Sequence, residues 1–224
     1  REAQAGVENE EQGPTVLTMR WVFDELFAAA GRSLGDHVEL ERARILARHA
    51  WSDGSRLDLH ADLEESARAV TDFAGREEGA RYRAFAARAR EAYEAVDATF
   101  MRAQRTTLGS LVGAGRVDWR ALAAIDPLRT MWGSLARAFR DPRLRQLFAR
   151  YATYCGASPF EAPAILNVIA HVEAEGVWRV RGGISALAGA LAATARDIGV
   201  VLRYEAPVAE VIVRSRAEGV RLAS

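Results

Sequence analysis

Lysine is absent from the 224 residues: the thirty basic side chains are all arginine, matched by thirty acidic ones, and the formal net charge is zero. An all-arginine basic set is a bias that a GC-rich genome imposes. The balance excludes the basic excess on which nucleic-acid binding rests, so no nucleic-acid partner is expected. One cysteine, Cys155, excludes an internal disulfide and fits a reducing, cytoplasmic compartment. Its apolar helical spacing predicts a packed core thiol. No run of about 18 apolar residues occurs, so neither a transmembrane helix nor a signal peptide is expected. His37, His49, His60 and His171 are too scattered for a metal-ligand set, and no metal is expected. Gly-x-Ser-x-Gly is missing, and so is Gly-x-Gly-x-x-Gly; Gly113-Ala114-Gly115 lacks the third glycine and the flanking strand. What is left is a globular chain, half apolar, long enough for one large or two small domains. It starts without methionine and stops in mid-pattern, so it reads as a piece of a longer protein.

Residues 1–12 are polar and aperiodic and read as a disordered lead-in. Gly13-Pro14-Thr15 is a loop signal, and Thr18 can cap a helix over Met19–Ala30 that Gly31 stops. His37–Leu40 alternates like a strand. Ser52-Asp53-Gly54-Ser55 between Ile45–Trp51 and Arg56–His60 predicts a hairpin with Leu57 and Leu59 facing the core. Asp62, with Glu65 three residues on, predicts a capped helix to Phe73, ended by Gly75. Arg76–Phe100 is a long amphipathic helix, Asp118–Ala124 and Leu128–Phe139 are helical, and Asp126-Pro127 and Asp141-Pro142 are breaks.

Aromatics gather between 141 and 191. Leu144, Leu147, Phe148, Tyr151, Tyr154 and Cys155 recur at helical spacing until Gly156, and Ser158-Pro159 can open another helix. Val177–Val180 reads as a strand, Gly182-Gly183 as a bare backbone step, and Ile184–Ile198 as a helix. The step is either a tight strand-to-helix turn or a place where a ligand approaches the backbone. After Gly199, strands are expected at Val200–Tyr204, Val208–Val213 and Gly219–Leu222, returning the chain to a mixed sheet.

The run R-Y-A-T-Y-C-G-A-S-P-F-E-A-P-A-I-L-N (150–167), followed by G-V-W and R-G-G-I-S-A-L, is similar to the middle of the carotenoid desaturases of the phytoene-desaturase type. A second block, G-P-T-V-L-T-M-R-W-V-F-D-E-L-F (13–27), is similar to a flavin-proximal block of the same family, in family order. The resemblance covers nearly everything from Gly13 to Ser224. Glu11-Gln12 depart from the acidic-then-small pair usual before the first block, which puts the upstream sequence in doubt.

The resemblance implies an α/β (α+β) chain, the middle part of an FAD-dependent amine-oxidase-like two-domain fold with a helical insert between sheet segments. Its implied parts are a flavin-proximal loop and helix at 13–36, a substrate domain at 37–180, and a return to the FAD-binding domain at 181–224. The implied activity is desaturation of a hydroxylated or methoxylated acyclic carotenoid by hydride transfer to FAD, with the cofactor carrying the hard step. A phytoene desaturase, another amine-oxidase-like flavoenzyme, and an inactive apolar-ligand-binding fragment remain alternatives. Gly13, Pro14, Thr15, Thr18, Gly182, Gly183 and Val208 match cofactor-side positions. Tyr151, Tyr154, Phe160 and Trp178 are candidates for an apolar substrate channel, against plain core packing; catalytic residues are unassigned. Arg137, Arg140, Arg143, Arg145 and Arg150 form either a basic rim for peripheral membrane contact or a solvated face.

Without a phosphate-binding glycine turn, the 224-residue chain purified alone is expected to carry no stoichiometric flavin. The visible spectrum after desalting checks this; one flavin retained per chain overturns it.

Overall fold

The computed structural model describes residues 16–97, 126 and 128–223. The expected lead-in, Gly13-Pro14-Thr15, Gly113-Ala114-Gly115 and the expected helix Asp118–Ala124 lie outside the described residues. The described residues form a mixed helix and strand structure with three two-stranded pairings among them. It divides into two compact units: the described parts of 14–20 and 40–179, and the described parts of 21–39 and 180–224.

In the first unit, β1 (Leu40–Arg42) replaces the strand expected at His37–Leu40. Residues Leu34–Asp36 form a 3₁₀ turn to which His37 and Val38 donate, so their amides are not available to a sheet. β2 (Ile45–Ala50) and β3 (Arg56–His60) form the expected antiparallel hairpin. Asp53 accepts from the Ser55 amide at 2.9 Å and the Ser55 hydroxyl at 2.6 Å, and Gly54 takes φ 82°. Leu57 and Leu59 point inward from β3.

The Asp62 carboxylate accepts from the Glu65 amide at 2.8 Å and starts α2 (Leu63–Ala74). Gly75, at φ 95°, ends α2 and turns the chain into α3 (Arg76–Val96). Thr130 caps α4 (Met131–Ala138), and Asp141 caps α5 (Pro142–Ala149) with Pro142 in its first turn. The helix then tightens into a 3₁₀ segment, Arg150–Cys155, and Gly156 closes it in the left-handed region.

No helix opens at Ser158-Pro159. The Pro159 carbonyl accepts from the Trp132 amide (2.9 Å) and the Ala162 carbonyl from Met131 (2.7 Å), so this segment serves the orphan amides at the start of α4. Helix resumes as the 3₁₀ turn Ala164–Val168 and α6 (Ile169–Glu175). β4 (Trp178–Val180) pairs with β1, and Leu17 and Trp178 exchange two backbone hydrogen bonds of 2.8 Å.

Elements from across this unit meet in one apolar core. Phe85 of α3 lies 4.8 Å from Phe148 of α5 and 5.2 Å from Phe139, ring centre to ring centre, and Phe139 stacks on Phe148 at 5.0 Å. Leu57, Leu59, Val70, Met131 and Leu135 close around them.

The other unit contains most of α1 (Arg20–Ala29), which starts one residue later than expected because Met19 takes φ 50°. It also holds α7 (Ile184–Asp197) and the hairpin of β5 (Val208–Val213) and β6 (Ala217–Leu222). Val200–Tyr204 is not a strand: among the described residues no segment pairs with it, and an extended segment needs a neighbour for its backbone groups.

Helices α2 and α3 approach closely at Gly79, where a β-carbon would collide with the Thr71 hydroxyl and lie 3.1 Å from the Ala67 carbonyl oxygen. The Thr71 hydroxyl donates to that same carbonyl at 2.7 Å, so it cannot rotate away freely. In an exposed helix Gly→Ala stabilises by about 1 kcal/mol. Gly79→Ala should instead destabilise by roughly 1–3 kcal/mol through overpacking, read from a urea melt; a gain in stability overturns the close-packing assignment.

Candidate functional site

The polar centre of the first unit is Glu173, on α6, 5% exposed. The α6 turn aims it at the 3₁₀ segment 150–155. Arg150 donates to both carboxylate oxygens, at 3.1 and 2.6 Å. The Tyr151 phenol donates at 3.1 Å and the Tyr154 phenol at 2.9 Å. A three-residue period brings residues i and i+3 into line, so the 3₁₀ geometry sends both phenols to the same carboxylate. Burial pushes the Tyr151 phenol well above its ordinary pKa, with the Glu173 charge adding to the effect. Tyr154 is raised by the same two causes in the same order. Both stay protonated donors at neutral pH.

His49 of β2 lies within reach of this field. Its Nε2 is buried and has no hydrogen-bond partner among the described residues, and burial and then the Arg150 charge lower its pKa below 6.5. His171, beside Tyr93 at 4.9 Å, is also lowered by burial. The cluster is thus one ion pair surrounded by neutral groups.

A cavity of about 560 Å³ opens beside it, lined by Leu46, Leu59, Phe85, Phe148, Tyr151 and Glu173 among others. Of the four expected channel aromatics, Tyr151 is in this lining. Tyr154 is 57% exposed, its hydroxyl turned to Glu173. Phe160, 61% exposed, packs on Trp132 at 4.9 Å. Trp178 covers Gly176, whose positive φ of 150° and lack of a side chain leave room for the indole. The four therefore occupy three separate surroundings. Cys155 is exposed rather than a core thiol, because the tightening at Arg150 breaks the α-helical period that would have buried it.

Four of the five arginines of the expected rim are engaged within the chain. Arg140 pairs with Glu77 at 3.0 Å, and Arg143 with Asp141 at 2.7 Å. Arg145 donates to the Phe139 and Arg140 carbonyls, and Arg150 to Glu173.

Gly182 and Gly183 stand at φ 77° and 78°. Residues with side chains rarely take such angles, so the backbone is bare where α7 begins. Among the described residues no side chain caps α7; the Gly183 amide donates to the Val180 carbonyl at 3.0 Å and the Ala186 amide to the Gly183 carbonyl at 3.1 Å. This geometry fits one edge of a flavin site and fits a tight turn equally well. Val208 opens β5 and is half-exposed. Thr18 is partly buried, beside the Leu17 bridge.

Residues 9–224 match the profile of the flavin-containing amine oxidoreductases. The chain is 50% identical over 216 residues to a hydroxyneurosporene desaturase of Rubrivivax gelatinosus, covering 95% of this chain and 41% of that protein. It is 46% identical over 214 residues to one of Cereibacter sphaeroides (95% and 43%) and 35% identical over 195 residues to a phytoene dehydrogenase of Streptomyces griseus (87% and 38%). The chain belongs to the flavin-containing amine oxidoreductase family. It spans about two fifths of the length of these relatives.

Glu173 was not legible as a site residue; no local motif marks it, and its four donors come together only on folding. Glu173→Gln leaves the half-buried Arg150 without its counter-charge, and breaking such a pair costs roughly 3–5 kcal/mol. The double change Glu173→Leu with Arg150→Leu should recover most of that loss. Urea melts of the three proteins check both statements; a Glu173→Gln protein as stable as the parent overturns them.

Proposed function

We propose that this chain is the middle portion of an FAD-dependent desaturase that introduces C=C bonds into a hydroxylated or methoxylated acyclic carotenoid. The observation that carries the reading is identity of 46–50% to two hydroxyneurosporene desaturases over 95% of the chain. Identity to the phytoene dehydrogenase is lower, 35%, which favours the hydroxylated branch over the phytoene alternative.

In this reading the flavin, when bound, would accept a hydride from one carbon while the neighbouring carbon loses a proton, so that two hydrogens leave for each C=C formed. The chain's own residues position the substrate and keep water out. Gly182 and Gly183 let the flavin come close to bare backbone, with Gly13, Pro14, Thr15, Thr18 and Val208 as further cofactor-side positions. The core around Phe85 and Phe148 supplies the apolar surroundings a polyene needs. A hydrocarbon offers no group that must be protonated, so the scarcity of acid–base sets in the sequence agrees with the chemistry. No helix among the described residues is long and apolar enough to cross a membrane. Peripheral contact with a membrane is the way such a protein reaches a lipid-borne substrate.

The test is the full-length protein with FAD and a 1-hydroxylated acyclic carotenoid in liposomes, followed by chromatography and absorbance. The expected product carries a longer conjugated system, its absorbance moved to the red. Bound flavin with no change in any acyclic carotenoid overturns the reading.

A further inference from the structure

We propose that the cavity between α3, α6 and the β2–β3 hairpin binds an amphiphile made of an alkyl chain and an ammonium head, the chain inside and the head against Glu91 and Glu175 at the mouth. This goes beyond the desaturase reading and does not depend on it.

The cavity sorts its walls by depth. Leu59, Phe85, Phe148 and Tyr151 line it and are buried, so they form its bottom. Tyr82 adds a further ring, stacked on Phe148 at 5.9 Å. Arg83, Arg90, Glu91, Glu94 and Glu175 also line it and are exposed, so they form its mouth. The volume, about 560 Å³, is that of a ligand cavity rather than a packing defect. Apolar surface at depth under a charged mouth suits a chain with a charged end, because the chain leaves water while the charge stays in it.

The sign of that end follows from how the charges are already matched. Arg83 is held by both oxygens of Glu64, the shortest contact being 2.6 Å, and Arg90 meets Glu94 at 2.7 Å. At depth, Glu173 is matched by Arg150. His60, also in the wall, turns its Nδ1 to Glu65 at 3.7 Å. Glu91 and Glu175 are left. Glu91 has no ion-pair partner among the described residues, and Glu175 faces His171, Oε1 to Nε2 at 3.7 Å. Burial lowers the His171 pKa, so the imidazole is neutral at pH 7 and leaves the Glu175 charge unmatched. Arg42 reaches the Glu175 carbonyl, at 3.1 Å, rather than its carboxylate.

The mouth therefore has two carboxylates in surplus and attracts a cation. Exposed carboxylates attract only modestly, so the buried chain supplies most of the affinity and the head supplies the preference.

Calorimetric titration of the full-length flavoprotein tests this with dodecylamine, dodecanoate and a twelve-carbon lysophosphatidylethanolamine, each below its micelle concentration at about pH 7. Dodecylamine should bind at one site and about tenfold more tightly than dodecanoate. Each methylene removed from the amine's chain should weaken binding about fourfold. Glu91→Gln combined with Glu175→Gln, two exposed changes that leave the core alone, should reduce the preference for the amine to about threefold or less at an unchanged melting temperature. The lysophospholipid separates two sources of the ammonium: tighter binding than dodecylamine assigns the site to a lipid headgroup, weaker binding to a free long-chain amine. No saturable binding of dodecylamine, dodecanoate bound as tightly as the amine, an affinity independent of chain length, or a preference that survives the double Glu→Gln change overturns this inference. Each of those outcomes leaves the desaturase reading standing.

Discussion

One carboxylate organises the polar interior of the larger unit. A charge in a dry place is costly, and Glu173 is tolerated because four donors converge on it. Those donors all come from the six residues of the 3₁₀ segment, Arg150–Cys155. The carboxylate therefore dictates the winding of that segment: relaxing it to an α-helix would move one phenol off the shared acceptor. The apolar side of the same segment, with Tyr151 beside Phe148, is continuous with the aromatic core. Charge satisfaction and core packing are thus solved by the same turn.

Local signals were readable in advance wherever a short-range interaction decides the outcome. Asp62 with Glu65, Asp141 with Pro142, the Asp53–Gly54 turn and the Gly182-Gly183 step each act within four residues, and each is formed. Readings failed where a distant partner intervened. Ser158-Pro159 has the chemistry of a helix start, yet its carbonyls are taken by amides of α4. Val200–Tyr204 has strand composition but no strand beside it among the described residues. Cys155 and Tyr154 carried an apolar period that the change from 3.6 to 3 residues per turn interrupts.

The same distinction governs the candidate site. The blocks around Gly13 and Gly182 carry their resemblance in contiguous residues. Glu173, Arg150, Tyr82 and His49 belong to α6, the 3₁₀ segment, α3 and β2, and no spacing rule links them. Arg150 illustrates the difficulty: as one of several arginines in a row it reads as solvated surface, whereas its guanidinium is the main counter-charge of a buried acid.

The pairing of Leu17 with Trp178 has a consequence for how the protein is made. Two residues separated by most of the chain exchange both backbone hydrogen bonds, and Ala43 adds a further bond to Val177. A ribosome releases the segment around Trp178 long after the one around Leu17. The early segment must wait, its edge unpaired and open to wrong partners, while the helices between are synthesised. Closure of so distant a loop is slow compared with formation of the β2–β3 hairpin or the α2–α3 pair. During synthesis the nascent chain therefore presents a prefolded helical middle and a waiting first strand, the state in which a chaperone would have most to protect.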